Sequence, residues 1–154
     1  MKYPRILSAL ALAWPCLIVL PALRAEEAVK TIVIVSNDNM KFSVTHIDAA
    51  PGEKLHVQLR NEGTMPKNGM AHNWVLLQAN ADPSAFAMAA ISAHDTNYIP
   101  KALAPQVIAS IPLLGPTEVG DVTFVCPTKP GKYVYICSCN GHSLAGMRGE
   151  LVVN

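Results

Sequence analysis

The sequence predicts an all-β protein, a sandwich of short strands with crossed connections, interrupted by one helical flap. Three observations predict it. Short apolar runs recur along the chain. Turn residues divide them, among them Ser36-Asn37-Asp38-Asn39, Pro51-Gly52 and Thr128-Lys129-Pro130-Gly131. Several such runs at this spacing, with no internal repeat, suggest a sandwich with crossed connections.

In chain order, Thr31–Val35 is the first strand candidate, closed by the Ser-Asn-Asp-Asn turn. Lys41–Ile47 and Lys54–Arg60 flank Pro51-Gly52. Asn73–Gln78 is apolar and strand-like. Asp82–Ser92 differs: Pro83 can start a helix, and Phe86 to Ile91 are compatible with one, so a helical flap is expected over 82–92. Asn97–Pro105 carries two prolines and reads as irregular. Val107–Ser110, Asp121–Cys126, Lys132–Cys137 and Arg148–Val153 complete the strands.

A chain of 154 residues fits one domain with a proper core. With 51% hydrophobic and 15% charged residues it is not a disordered polyelectrolyte. Part of that hydrophobicity belongs to a targeting segment. Lys2 and Arg5 precede the apolar run Ile6–Leu23, and small Ala25 follows, so residues 1–25 are read as a signal peptide and 26–154 as the mature domain. A retained anchor is disfavoured because Pro15 and Pro21 interrupt a run of marginal spanning length. Bulky, stiff Trp14-Pro15 before Cys16 argues against a lipoprotein signal. Loss of Lys2, Arg5 and Arg24 leaves 9 basic against 11 acidic residues, which does not suggest nucleic-acid binding. Three cysteines then remain, Cys126, Cys137 and Cys139, so at least one thiol lies outside any internal disulfide. Export points to a periplasmic location.

The chemistry concentrates in Cys137-Ser-Cys-Asn-Gly-His142-Ser-Leu-Ala-Gly-Met147, with His72 far upstream. Taken singly, each is bland: a core histidine, an inert buried thiol, a solvated loop histidine, a core methionine. Together, one thiolate, two imidazoles and a thioether are the ligand set of a mononuclear blue copper centre. A strand delivers Cys137 to its end. Gly141 permits a tight turn that brings His142 and then Met147 past the same point. Two nitrogens and the sulfur form a trigonal plane, with the methionine on its axis. One copper per chain and one-electron transfer are the expected cofactor and chemistry.

His72-Asn73-Trp74-Val75-Leu76, preceded by Met65-Pro66-Lys67-Asn68-Gly69-Met70-Ala71, resembles the first copper-binding segment of azurins. Asn37-Asp38-Asn39-Met40-Lys41-Phe42, Tyr98-Ile99-Pro100, Val107-Ile108-Ala109 and Asp121-Val122-Thr123-Phe124 follow the azurin order. The resemblance covers nearly all of residues 28–154. It implies an eight-stranded Greek-key β-sandwich, the cupredoxin fold. By position, His72, Cys137 and His142 become equatorial ligands and Met147 the axial one. The carbonyl of Ala71 is a candidate remote axial contact. Asn73 falls where family members hydrogen-bond the ligand sulfur and tie the two copper loops together. The His–Met gap of five is one residue longer than in azurin and resembles auracyanins, so an azurin-like or auracyanin-like protein is expected. Lys30 and Gly52 stand at about the positions of the azurin disulfide, and Asn61 replaces a second histidine linked to pH effects in some azurins.

Around a near-surface His142, Met40, Met65, Gly69, Gly141, Leu144 and Ala145 are expected to form an apolar collar where redox partners dock. By resemblance these are c-type cytochromes, copper nitrite reductases, or other respiratory or photosynthetic complexes, meeting a monomer. Cys139 raises a second reading, a periplasmic copper-binding protein for delivery or storage. That role favours clustered methionines or histidines, and the six methionines and five histidines are not clustered. An enzyme would need further histidine pairs. His46, His56 and His94 are well separated and are read as surface or structural residues. Trp74, beside His72, is expected to be buried.

Overall fold

The computed structural model describes residues 29–154; the stretch read as a signal peptide, with Cys16, lies outside the described residues. Among the described residues there are eight strands: β1 Lys30–Ser36, β2 His46–Ala49, β3 Lys54–Asn61, β4 His72–Leu77, β5 Val107–Leu114, β6 Val119–Val125, β7 Gly131–Ile136 and β8 Arg148–Val153. They form a three-stranded sheet, β1-β3-β6, and a five-stranded sheet, β2-β8-β7-β4-β5. β1 pairs with β3, and β2 with β8, in parallel; the remaining pairs are antiparallel. The chain moves from one sheet to the other and back, which is the crossed connectivity expected of a Greek-key sandwich.

Side-chain periodicity explains the core. In β3 alternate residues Leu55, Val57, Leu59 and Asn61 are buried, as a strand with one wet face requires. β4 is different, because all six of its residues are buried. Its Trp74 and Leu76 enter the core between the sheets. Val75 and Leu77 face the other way, into a second cluster with Phe86, Ala87 and Ile136. The helix α1, Pro83–Ala90, therefore covers the outer face of the larger sheet. Asp82 caps it, its Oδ1 accepting from the amides of Ser84 at 2.8 Å and Ala85 at 3.2 Å, with Pro83 at the first helical position.

Two sequence readings need correction. The strand expected over Lys41–Ile47 is reduced to His46–Ala49. The preceding residues cross between sheets: Phe42 makes an isolated bridge to Ser36, and Ser43 exchanges hydrogen bonds with Val35. The irregular 97–105 segment contains most of a 3-10 turn, Lys101–Gln106, and follows another at His94–Thr96. The flap lies where expected, helical over Pro83–Ala90 with Asp82 and Ile91 as its caps.

Topology places the candidate ligands. β7 lies between β4 and β8 and runs antiparallel to both. The start of β4, the end of β7 and the start of β8 consequently share one end of the sandwich. His72 opens β4, Cys137 follows β7 directly, and Met147 directly precedes β8.

Candidate metal centre

The ligand loop is held by its own backbone. Cys137 N–H donates to the Met147 carbonyl at 3.0 Å, Ser143 N–H to Cys137 at 3.1 Å, and Met147 N–H to His142 at 3.0 Å. The loop doubles back through left-handed conformations at Asn140 (φ 42°) and Gly141 (φ 77°), regions that favour Asn and Gly. Cys137, His142 and Met147 are thereby fixed as one unit before any ion arrives.

His72 meets this unit from β4. Its Nδ1 lies 3.8 Å from Cys137 Sγ, and His142 Nδ1 lies 3.5 Å from the same sulfur. All three donor atoms fall within 4.8 Å of one another. Metal–nitrogen and metal–thiolate bonds of about 2.0–2.3 Å, meeting at about 120°, put nitrogen and sulfur about 3.8 Å apart. The spacing of these donors thus fits a shared transition-metal ion. Met147, fully buried in the same core cluster as Cys137, supplies the thioether.

Burial dominates the electrostatics. It drives the His72 pKa down to about 4, helped by the neighbouring His142 and opposed by the Asn37 carbonyl and Asp38. Burial also lowers His142. Both rings are therefore neutral at pH 7, and each offers a lone pair. His72 Nε2 makes no hydrogen bond of good geometry, although the Asn37 carbonyl lies close enough to favour its N–H form. Burial pushes the Cys137 thiol up to about 12, opposed by backbone N–H groups of Asn73 and Cys139 that point at its sulfur. Those N–H groups support the thiolate that a metal would generate.

Asn73 ties the two loops. Its Oδ1 accepts from Ser138 N–H at 2.8 Å, and its Nδ2 donates to Ser138 Oγ at 2.9 Å and the Asn97 carbonyl at 2.8 Å. Ser138 Oγ donates in turn to the Tyr98 carbonyl at 2.7 Å. Sequence reasoning missed this third loop. Two consecutive non-glycine residues with positive φ, Asn97 and Tyr98, shape it, and only the asparagine hinted at it. Ala71 is buried beside His72.

His142 is more enclosed than expected, with 5% of its surface exposed, yet His72 has none. Of the residues expected around it, Met65, Leu144, Ala145 and Gly69 are exposed, and Met40 and Gly141 are half-buried. The structure adds Ile91 from the end of the flap. A Cβ placed on Gly141 would lie 3.8 Å from Leu144 Cδ1 and 4.0 Å from Ile91 Cδ1, so the two side chains flank the same spot beside His142. Cys139 is buried, packs against Tyr98 and has its thiol pushed up to about 11 by that burial. Cys126 is buried in the core, and all three described cysteines are free. Asn61 is an internal strut, bonded to the Leu114 carbonyl and the Gly63 amide. His46, His56 and His94 sit outside the centre, their ring nitrogens in hydrogen-bond contact with the carboxylates of Asp48 and Glu150, Asp121, and Asp95 respectively.

A two-sheet sandwich gathering a cysteine, two imidazoles and a methionine at one end defines a mononuclear type 1 copper protein, one copper per chain. The model of copper binding proteins of the plastocyanin/azurin family matches residues 29–154, and the chain belongs to that family. It is 35% identical over 98 residues to azurin of Methylobacillus flagellatus, a match covering 62% of this chain and 65%, just under two thirds, of that azurin. Among solved structures it is similar to auracyanin A, a blue copper protein of Chloroflexus aurantiacus, with a TM-score of 0.72, 32% identity, and coverage of 82% of this chain and 100% of the other. An azurin of Methylomonas sp. strain J gives a TM-score of 0.71 and 32% identity, covering 82% of this chain and 99% of the other.

Proposed function

We propose that this protein is an exported, periplasmic electron carrier that passes single electrons between redox partners and transforms no substrate. Copper, when bound, supplies a Cu(I)/Cu(II) couple. The chain's own residues do the rest. His72, Cys137, His142 and Met147 would hold the ion, with the Ala71 carbonyl as a further candidate contact. Asn73 and Ser138 hold the two ligand loops at fixed separation, so little needs to move when charge changes. Full burial of Cys137 excludes water from the sulfur.

The observation that carries this reading is the closed, hydrogen-bonded donor set formed by the chain itself, with both imidazole Nδ1 atoms turned to one buried sulfur. Electrons would cross at the His142 edge, where Met40, Met65, Leu144, Ala145 and Ile91 form the docking collar. A weakly charged surface of this kind suits brief encounters. The partners we infer are c-type cytochromes, copper nitrite reductase or other respiratory or photosynthetic complexes, each meeting a monomer of this chain.

The test is the visible and EPR spectrum of residues 26–154 after one equivalent of Cu(II). Intense red-region absorption with narrow copper hyperfine splitting is expected. A pale spectrum with ordinary splitting, or rapid thiol oxidation, would replace this reading with copper handling at Cys137 and Cys139.

A further inference from the structure

Asp38 belongs to no ligand loop, yet its carboxylate is the most heavily used acceptor near the site. Oδ2 accepts from Thr64 N–H at 2.8 Å and Thr64 Oγ at 2.9 Å, and Oδ1 accepts from Met65 N–H at 3.4 Å. Thr64 and Met65 begin the stretch that ends in Ala71 and His72. The approach is tight: a Cβ on Gly63 would collide with Asp38 Oδ1. Asn61 Oδ1 holds Gly63 N–H at 2.9 Å and so fixes that glycine under the carboxylate. On the other side, the residue before Asp38 is Asn37, whose carbonyl accepts from Met40 N–H at 3.1 Å and lies near His72. One carboxylate therefore joins the 37–40 turn, whose Asn37 carbonyl lies near His72, to the Thr64–Met65 segment.

We propose that Asp38 is a positioning residue for the metal centre: it pins the segment leading to His72, keeps the Asn37 carbonyl behind that ring, and places a negative charge close to it. The inference rests on His72 being a ligand. Carboxylate acceptors of this kind form strong, charge-assisted hydrogen bonds. A nearby negative charge favours the more positive state of the centre, and orientation of a ligand histidine by its surroundings tunes a metal site.

Two variants separate positioning from charge. Asp38→Ala removes both. Asp38→Asn keeps an acceptor oxygen and removes the charge. In the apo-protein, amide hydrogen exchange at Thr64 and Met65 is expected to quicken about tenfold or more in Asp38→Ala, and to return toward wild type in Asp38→Asn. In the copper-loaded protein at low ionic strength, where screening is weakest, Asp38→Asn is expected to raise the midpoint potential with the red absorption band kept. Unchanged amide exchange in Asp38→Ala would overturn the positioning role. An unchanged potential in Asp38→Asn would overturn the charge role. The wild-type copper spectrum is recorded alongside: its failure would sink the carrier reading, whereas the apo exchange result reports on Asp38 alone.

Discussion

At the residue scale, the centre depends on four side chains that are individually ordinary. Cys137→Ser is expected to abolish the intense red absorption while leaving the apo fold, because a hydroxyl replaces the thiolate at nearly the same size. A Cys137→Ser protein that stayed intensely blue would contradict the ligand assignment. The protonation states give two further outcomes. With the Cys137 thiol near 12 and both histidines neutral at pH 7, copper loading should release about one proton per ion, read by calorimetry in buffers of different ionisation enthalpy. His72 titrates near 4 when folded and near 6.5 when unfolded. Between those values the unfolded chain holds more protons. Apo stability is thus fully retained above pH 6.5 and falls as pH drops toward 4, at up to about 1.4 kcal/mol per pH unit for each such histidine. Denaturant unfolding of the apo-protein across that window should show the slope, and His72→Gln should flatten it. All four ligands were legible in the sequence from type and spacing. Their protonation was not, because it follows from burial, which spacing does not report.

At the scale of elements, the ligand loop and the flap behave as separate devices. Gly141 is left-handed at φ 77°, while a Cβ there would meet only ordinary contacts at 3.8 Å and beyond. Gly141→Ala should therefore cost about 1–2 kcal/mol of apo stability through backbone conformation alone, measurable as a lower denaturant midpoint. The flap is capped by Asp82. Asp82→Ala is expected to remove about 1 kcal/mol and to loosen α1 without altering the copper spectrum, since α1 contributes rim and cover but no ligand. Most strands were readable from apolar runs and turn residues. The Lys41–Thr45 segment was not, because Phe42 and Val44 look strand-like locally while their partners lie in different sheets. The Asn97–Tyr98 loop was equally silent, as its contribution is two backbone carbonyls rather than recognisable side chains.

For the whole molecule, Trp74 joins core and centre. It is fully buried, two residues from His72, and packs against Tyr135 and Phe124 with ring centroids 5.5 and 6.0 Å away. Trp74→Ala should destabilise the apo fold by about 3–5 kcal/mol, seen as a large fall in the unfolding midpoint. The opposite kind of change is a charge on the rim. Ile91→Glu, exposed on the flap and remote from the ligands in sequence, should slow electron exchange with a redox partner while leaving the copper spectrum unchanged. Equal exchange rates would remove Ile91 from the docking surface.

The amino-acid sequence by itself determined the ligand types, the spacing that lets Cys137, His142 and Met147 turn about one point, and the strand–turn rhythm of a sandwich. These are local properties, carried by residue chemistry and by periodicity along a short stretch of chain. Only the tertiary structure decided how His72 is brought against Cys137 and His142, that β7 runs antiparallel between β4 and β8 so the candidate ligands share one end, and that Asp38 and the Asn97–Tyr98 carbonyls brace the loops. Those outcomes depend on strand pairing between residues distant in sequence and on burial, which shifts the histidines and thiols in directions no linear pattern contains.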